Sequence, residues 1–260
     1  MRLPYTESGN GSAVLLLHAG IADRRMWAEH LEPLAAAGHR VVAVDLPGFG
    51  EAVPESRPVA HWQDVLETMD ALGIAEASLV GSSFGAAVAL RVAALHPQRI
   101  SSLLLFSVAA VPEPDPSPEL LATWNAEEEA LATGELERAV EAVVSGWVRP
   151  QASAEVRERI ATMQRQNYER HGSEDLEQAA DPLEDDPGLV AAIDCTVLLA
   201  VGESDLVDFR NAVRDLAARL PRSTTTVIAG CGHLAPLEAP SEFRRLVIAN
   251  LPRREDAAGG

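Results

Sequence analysis

Residues 81–85 read Gly-Ser-Ser-Phe-Gly, a G-x-S-x-G motif that could place a serine nucleophile at a sharp turn. An apolar, strand-like run precedes the motif at 77–80, and a run of helix-forming residues follows at 86–95. Glycine suits both flanks, because a side chain there would collide with neighbouring backbone in such a turn. The turn would expose the Ser83 hydroxyl and aim the free N–H groups of the helix N-terminus at the same place. Without partners for the serine, the segment could equally be a structural Gly/Ser turn.

A serine hydroxyl needs a base within hydrogen-bond reach, and the base needs a third group to orient it. His233 fits the role of base because, of the seven histidines, it alone lies in a glycine-flanked loop after a late strand, 223–228. His18 ends an early strand and suits loop shaping better than proton transfer. The other five lie in or beside predicted helices and are interpreted as surface or capping residues: His30, His39, His61, His96 and His171.

The orienting acid is expected between the serine and the histidine, at the end of a strand. Asp205 is the first choice, since it follows the apolar strand 196–201 after only Gly-Glu-Ser. Asp208 is the main rival, but it lies where the next helix should begin and is interpreted as an N-cap. Glu203 is nearer the strand end and would aim elsewhere.

Further motifs occur in order along the chain. Residues 15–20 read Leu-Leu-Leu-His-Ala-Gly, residues 45–50 read Asp-Leu-Pro-Gly-Phe-Gly, and the acid and histidine segments are 202–205 and 232–233. In these motifs, and in the order serine, acid, histidine, the chain resembles the α/β-hydrolase family, in particular its capped serine esterases. One departure is Ala19, which stands where the family usually has glycine.

The resemblance implies an α/β fold, with a mostly parallel sheet flanked by helices and a helical cap inserted into it. The implied reaction is hydrolysis of small to medium, mostly uncharged carboxylic esters through an acyl-enzyme. An oxyanion hole would need two backbone donors. The implied site consists of the triad Ser83, Asp205 and His233 and the oxyanion donors Gly20 and Phe84, with Ala19 or Ile21 less favoured in place of Gly20.

The pattern of elements predicts one interrupted domain. Strand and helix patterns alternate over 13–107, which indicates βαβ units and a parallel sheet. A proline-rich linker at 111–118 breaks this pattern, and the three elements predicted after it are all helices. We expect a core domain of residues 1–110 and 191–260 and a cap of residues 111–190. Large cap side chains could line a substrate pocket or simply pack the cap: Trp124, Trp147, Met163 and Tyr168.

Charge and composition exclude several partners and chemistries. All 21 basic residues are Arg, which excludes a Schiff-base lysine and a Walker-type phosphate lysine. A formal net charge of −18 makes nucleic acid and anionic membranes poor partners. Residues 113–190 hold 19 Asp or Glu against 6 Arg, which disfavours a strongly anionic substrate. No apolar run reaches membrane-spanning length and the N-terminus lacks a signal-peptide core, so a cytoplasmic location is expected.

The remaining reactive or turn-forming residues predict no additional chemistry. Two cysteines, Cys195 and Cys231, are too few for a disulfide framework and are expected to be free thiols. Cys231 is a rival nucleophile, although a small packing residue in a turn is the simpler interpretation. No histidines and cysteines have metal-ligand spacing, so neither a metal nor another cofactor is expected. Asn10-Gly11-Ser12 matches a glycosylation acceptor, but the Asn-Gly pair is better interpreted as a hairpin turn between two strands.

Three functions remain open. Serine at position 83 separates the chain from the haloalkane dehalogenases and epoxide hydrolases of the family it resembles, which carry aspartate there, and the strand 100–106 ends at Ser107 rather than at an acid. The first hypothesis is an ester hydrolase. The second is a C–C bond or enol-lactone hydrolase, because Gly-x-Ser-Phe-Gly also occurs in the ring-cleavage hydrolases that the chain resembles. The third is a non-catalytic ligand-binding protein on the same fold. The natural substrate and the oligomeric state stay open.

Overall fold

The computed structural model describes residues 2–55, 57–112, 114–172 and 176–252. Seven strands form one sheet in the order β1-β3-β2-β4-β5-β6-β7, with every neighbouring pair parallel except β1 with β3. The predicted fold class, a mostly parallel sheet flanked by helices, is confirmed. The strands are β1 (Tyr5–Ser8), β2 (Ser12–Leu17), β3 (His39–Val44), β4 (Ala77–Ser82), β5 (Ile100–Phe106), β6 (Thr196–Gly202) and β7 (Ser223–Ile228).

The helices lie mainly between successive strands, as a parallel sheet requires. Three 3₁₀ turns, Arg24–Trp27, Pro97–Arg99 and Pro187–Ala192, supplement them in the described part of the chain. The α-helices of that part are α1 (Ala28–Ala36), α2 (His61–Ala71), α3 (Phe84–Leu95), α4 (Pro118–Ala132), α5 (Leu136–Trp147), α6 (Ala154–His171), α7 (Pro182–Asp185), α8 (Val207–Arg219), α9 (Ala235–Glu238) and α10 (Pro240–Asn250).

Both faces of the central strands are buried, which explains why these strands read as continuous apolar runs. Successive side chains point to opposite faces of a strand. In β5, Leu103 and Leu105 pack into one core with α2, α3 and α8, whereas Leu104 and Phe106 pack into a second core with α1 and α10. This rigid, two-faced sheet holds the ends of β4, β6 and β7 in place for the loops that follow them.

The predicted hairpin at Asn10-Gly11 is wrong. β1 does not pair with β2, because β3 lies between them and pairs antiparallel with β1 and parallel with β2. The connecting residues cross over rather than turn tightly. Gly9 and Gly11 both adopt positive φ, 77° and 117°, which suits glycine at these two positions.

The three helices predicted after the proline-rich linker are present between β5 and β6. Ser117 caps α4 by accepting a hydrogen bond from the N–H of Leu120 at 3.2 Å, and Ser153 caps α6 in the same way. Gly134, with φ of 73°, separates α4 from α5. The division of the chain into core and cap domains stays a prediction. We refer to residues 111–190 as the helical insertion.

One side chain of α8 joins the two ends of the helical insertion. The Arg219 guanidinium donates to the carbonyl oxygens of Val111 and Pro187. Near the other end of α8, the carboxylate of Asp208 accepts hydrogen bonds from the Ser117 hydroxyl at 2.6 Å and from its N–H at 2.8 Å. These contacts join both ends of the insertion to α8.

Candidate active site

Ser83 lies at the turn between β4 and α3 in a strained backbone conformation. Its φ is 52° and its ψ is −116°, and its N–H donates to the carbonyl oxygen of Phe106 at 2.8 Å. The predicted need for glycine on both sides holds. A Cβ at Gly81 would lie 2.5 Å from the Cα of Ala86, and one at Gly85 would overlap the backbone oxygen of Leu17.

A chain of hydrogen bonds joins Ser83 to the predicted base and acid. The Nε2 of His233 lies 2.7 Å from the Ser83 Oγ, and its Nδ1 lies 2.9 Å from the Oδ1 of Asp205. Asp205 Oδ1 also accepts a hydrogen bond from the N–H of Leu206 at 2.8 Å. The side chains of His233 and Asp205 are buried. With Nδ1–H donating to the carboxylate, Nε2 is left as the acceptor for the serine proton.

The rival acids serve other groups. Asp208 holds Ser117 at the start of the helical insertion, and these hydrogen bonds lower its pKa although burial opposes them. The interpretation of Asp208 as an N-cap is wrong, because Leu206 is the N-cap of α8 and Asp208 belongs to the first turn. Glu203 accepts a hydrogen bond from the Gly230 N–H at 2.9 Å, so it braces the loop that carries His233.

The loop after β6 docks against the loop after β7 at Gly202. A Cβ at Gly202 would overlap the backbone oxygen of Gly232. The N–H of Ser204 donates to the carbonyl oxygen of Cys231 at 2.9 Å. This close backbone approach brings Asp205 to His233 although 28 residues separate them.

The predicted oxyanion donors are neighbours. A Cβ at Gly20 would lie 3.4 Å from the Cβ of Phe84. Within the described residues, no acceptor is hydrogen-bonded to the backbone N–H of either residue. The N–H of Ala19 instead contacts the sulfur of Met26 at 3.4 Å, which favours Gly20 over Ala19 as the donor in this loop.

His18 shapes this loop, as predicted. Its Nδ1–H donates to the Ala19 carbonyl oxygen, and its Nε2 accepts from the N–H of Leu46, both at 2.9 Å. Burial lowers the pKa of His18, which favours the neutral ring that this pattern requires. The loop 45–50 is fixed by contacts to the Asp45 carboxylate. A Cβ at Gly50 would overlap the Asp45 carboxylate, which accepts hydrogen bonds from the backbone N–H groups of Arg24 and Glu51.

Two of the four large cap side chains lie near the site. Trp147 packs against His233 with 4.7 Å between ring centres. Tyr168 lines a cavity of about 310 Å³ that also touches Phe84. Its lining, in the described part of the chain, does not include Ser83 or His233.

Of the other two large cap side chains, only Met163 is corrected as a pocket residue. Met163 is buried among core residues such as Trp27 and Ile160 and packs the insertion against the core. Trp124 is 41% exposed and borders a recess of about 60 Å³ that Phe209, a neighbour of the His233 ring, also lines, so its role as a pocket residue stays a prediction.

Sequence reasoning missed three side chains at the site. Phe209, on α8, lies 4.3 Å from the His233 ring, centre to centre. The Glu238 side chain is fully buried at the end of α9, the short helix that follows His233, and Arg149 pairs with it from the segment after α5. The spacing of Glu238 from His233, five residues across a turn, was a usable signal. Nothing in the sequence pattern indicated Phe209 or Arg149.

A family model described as "Alpha/beta hydrolase family" matches residues 14–246. The chain belongs to the alpha/beta hydrolase family. The predicted resemblance is therefore confirmed, and the protein is a hydrolase of this fold.

Relatives of this alpha/beta hydrolase have several named activities. A thermophilic esterase from Thermogutta terrifontis superposes with a TM-score of 0.76 at 28% identity, covering 94% of this chain and 91% of the esterase. A 2-hydroxy-6-oxononadienedioate/2-hydroxy-6-oxononatrienedioate hydrolase from Pseudomonas putida is 28% identical over 95% of this chain and 91% of its own. A 2-hydroxy-6-oxo-6-phenylhexa-2,4-dienoate hydrolase from Comamonas testosteroni is 38% identical, but the matched segment spans only 38% of that enzyme and 39% of this chain.

The cysteines of this alpha/beta hydrolase are both free. Burial raises the pKa of Cys231 to about 12 and that of Cys195 to about 11, which disfavours a thiolate nucleophile. The described residues contain no group of three or more His, Cys, Asp or Glu side chains placed to hold a metal ion. None of the helices described combines the length and apolarity that a bilayer crossing needs.

Proposed function

We propose that this alpha/beta hydrolase cleaves small to medium, mostly uncharged carboxylic esters through an acyl-enzyme on Ser83. The observation that carries the proposal is the continuous contact from the Ser83 hydroxyl to His233 and on to Asp205, at 2.7 and 2.9 Å. A serine with such partners is equipped for nucleophilic attack on a carbonyl.

The proposed steps follow from this geometry. Ser83 Oγ attacks the ester carbonyl while His233 Nε2 takes the hydroxyl proton, and the buried Asp205 carboxylate stabilises the imidazolium. The N–H groups of Gly20 and Phe84 donate to the negative oxygen of the tetrahedral intermediate. The alcohol leaves with the proton from His233. Water, deprotonated by the same ring, then attacks the acyl-enzyme and releases the acid and the free serine.

The cavity beside Phe84 supports the proposed substrate class. Its volume of about 310 Å³ suits a small or medium ester group. The chain has no Lys, and the described lining contains no Arg but does include Glu127. Of the two imidazoles in this lining, His61 has its pKa lowered to about 4 by burial, and the Nε2 of His171 lies 3.0 Å from the Gly50 carbonyl oxygen. A carboxylate in this cavity would therefore meet Glu127 without a guanidinium or ammonium group to pair with, which is unfavourable.

Hydrolysis of a C–C bond or an enol-lactone is the second candidate. The named substrate of the Pseudomonas putida relative is a dioate, and a neighbour of known structure is an enol-lactonase from Burkholderia xenovorans LB400. The same serine and histidine could serve either reaction. The absence of Arg from the described cavity lining favours the ester over the dioate. The third hypothesis, a non-catalytic binding protein, is disfavoured by the hydrogen-bonded Ser83, His233 and Asp205.

A substrate panel tests the proposal. Chromogenic short-chain esters, lactones and vinylogous diketones are assayed with the wild type and with Ser83→Ala. We expect ester turnover in the wild type and a loss of several powers of ten, on the order of 10⁶, in the variant. Ser82→Ala is the matched control, because the Ser82 hydroxyl is buried next to the site without a hydrogen-bond partner in the described chain. More than a few per cent of activity in Ser83→Ala would exclude Ser83 as nucleophile, and no turnover of any compound would favour the binding protein.

A further inference from the structure

The loop that carries His233 is held by a buried carboxylate on the turn that follows it. Glu238, the last residue of α9, accepts a hydrogen bond from the Gly232 N–H at 2.9 Å and a longer one from the Leu234 N–H at 3.4 Å. Its side chain is fully buried. One carboxylate therefore contacts the backbone immediately before and immediately after the imidazole-bearing residue.

Gly232 allows this carboxylate to approach so closely. A Cβ at position 232 would lie 3.0 Å from the Glu238 Oε2 and 3.3 Å from the Cβ of Arg149. Such spacing is tighter than ordinary van der Waals contact, so any side chain at this position would push the carboxylate or the arginine away. The glycine before His233 thus belongs to the same arrangement as Glu238.

Arg149 supplies the charge that a buried carboxylate requires. Its Nε lies 3.0 Å from the Glu238 Oε2. The Nε–H is not aligned for a hydrogen bond, so the contact is an ion pair. A buried carboxylate without a cation is strongly disfavoured, which makes the arginine part of the support. Arg149 follows Trp147 by two residues, so one short segment of the insertion reaches His233 both through the indole and through Glu238.

We propose that Glu238 is a positioning residue for His233 and that Arg149 couples it to the helical insertion. The inference rests on the proposed function, since positioning matters only if His233 serves Ser83. Two backbone N–H groups held by one rigid acceptor limit rotation of the loop. Without them, the 2.7 Å contact between His233 Nε2 and Ser83 Oγ would lengthen and lose alignment. A misplacement of about 1 Å in a reacting group can cost about a hundredfold in rate.

Phosphonylation of Ser83 by a small fluorophosphonate tests the proposal. In this reaction the Ser83 Oγ–P bond forms, the P–F bond breaks, fluoride leaves and His233 takes the hydroxyl proton. The rate of this reaction therefore reports how well His233 accepts the serine proton. The small reagent makes few contacts in the substrate cavity. Ester kcat and KM are measured beside it, at a temperature at least 20 °C below the melting temperature of each variant.

We expect Glu238→Ala to lower the phosphonylation rate and kcat about a hundredfold, with KM within about threefold of the wild type. Glu238→Gln keeps one acceptor oxygen, so its phosphonylation rate and kcat should lie between those of Glu238→Ala and those of the wild type. Arg149→Met should lower both rates about tenfold, because the carboxylate is left without its cation. Glu242→Gln is the matched control, since Glu242 is 40% exposed on α10 and pairs only with Arg245 among the described residues.

The outcomes separate the two proposals. If the wild type is not labelled at Ser83, the proposed function fails. If the wild type is labelled and Glu238→Ala reacts within threefold of its rate, the positioning role is wrong and Glu238 only stabilises the fold. Should Glu238→Ala not fold, Glu238→Gln decides, because wild-type rates with a lower melting temperature would equally reject the role.

Discussion

Trp147, the last residue of α5, packs against His233 with 4.7 Å between ring centres and 44° between the ring planes. The helical insertion thus contacts the proposed base itself. Phe209, on α8, lies 5.9 Å from the Trp147 ring and 4.3 Å from the imidazole. An aromatic cluster from two separate elements therefore fixes the plane of the histidine ring.

Trp147→Ala should lower kcat about tenfold and shift the ester profile toward longer acyl chains. The vacated ring space would accept additional methylenes, and the imidazole would lose an aromatic contact. Ester profiles and melting temperatures of the variant and the wild type measure both effects. Leu121→Ala is the control, because Leu121 is 45% exposed on α4 of the same insertion, and it should leave the profile unchanged. A lower melting temperature with an unchanged profile would make Trp147 a packing residue only.

Asp205→Asn should reduce kcat/KM by about 10⁴. The amide would favour the wrong imidazole tautomer and would not stabilise the imidazolium. Asp208→Asn should cost less than about threefold in activity, since its partner is Ser117 rather than His233, and each of these contacts is one hydrogen bond of modest strength. Steady-state kinetics of the two variants on one ester rank them. The opposite ranking would transfer the role of orienting acid to Asp208.

Acid should destabilise the protein partly through His30 and His61, which are buried, so their interpretation as surface or capping residues is wrong. Burial lowers the pKa of His30 and of His61 to about 4, whereas both take up a proton near 6.5 when unfolded. The contribution of each histidine to the free energy of unfolding is therefore fully present above about pH 6.5. It is lost as the pH falls toward 4, by up to about 3 kcal/mol for each.

His61→Gln isolates one of these contributions. Urea unfolding of the wild type and the variant between pH 7.5 and pH 4 gives their stability difference at each pH, so that titrating carboxylates common to both cancel. We expect the stability advantage of the wild type to shrink steadily as the pH falls. An advantage that is constant over this range would mean that His61 is protonated in the folded state as readily as in the unfolded one.

The native thiols should resist modification. Burial raises the pKa of Cys231 to about 12, and the thiol contacts the Gly232 carbonyl oxygen at 3.4 Å. We expect neither Cys231 nor Cys195 to react with a disulfide reagent at pH 7.5 within minutes, and both to react after unfolding. Iodoacetamide should leave ester turnover intact. If ester turnover were lost in proportion to alkylation of Cys231, this thiol would again be a candidate nucleophile.

Local sequence was informative wherever backbone geometry restricted the residue type. Gly81 and Gly85 are required by the tight turn around Ser83. An apolar run ends shortly before Asp205, and a β-branched run ends shortly before His233, and a glycine-containing loop follows each. Parallel strands direct their carboxyl ends to one edge of the sheet, so residues at those ends meet there. The three side chains singled out on this basis lie in one hydrogen-bonded chain.

Contacts between distant segments of the chain decided the strand pairing at the sheet edge and the positions of side chains in the insertion. The hairpin expected at residues 10–11 failed because β3 enters between β1 and β2, a pairing that local turn chemistry does not encode. Met163 has the residue type of a pocket wall, but the docking of α6 against the core determines where its side chain lies.

The amino-acid sequence by itself determined the strand-and-helix alternation, the strained turn at Ser83 and the order of the three reactive side chains. These depend on periodicity and on residue-specific backbone preferences, which act over a few residues. Only the tertiary structure decided that Glu238 accepts hydrogen bonds from the backbone on both sides of His233. It also decided that Arg149 pairs with Glu238 and that Trp147 packs against His233. Burial, charge pairing and ring contacts depend on which surfaces meet after folding, and residues 89 positions apart in the chain can then share one ion pair.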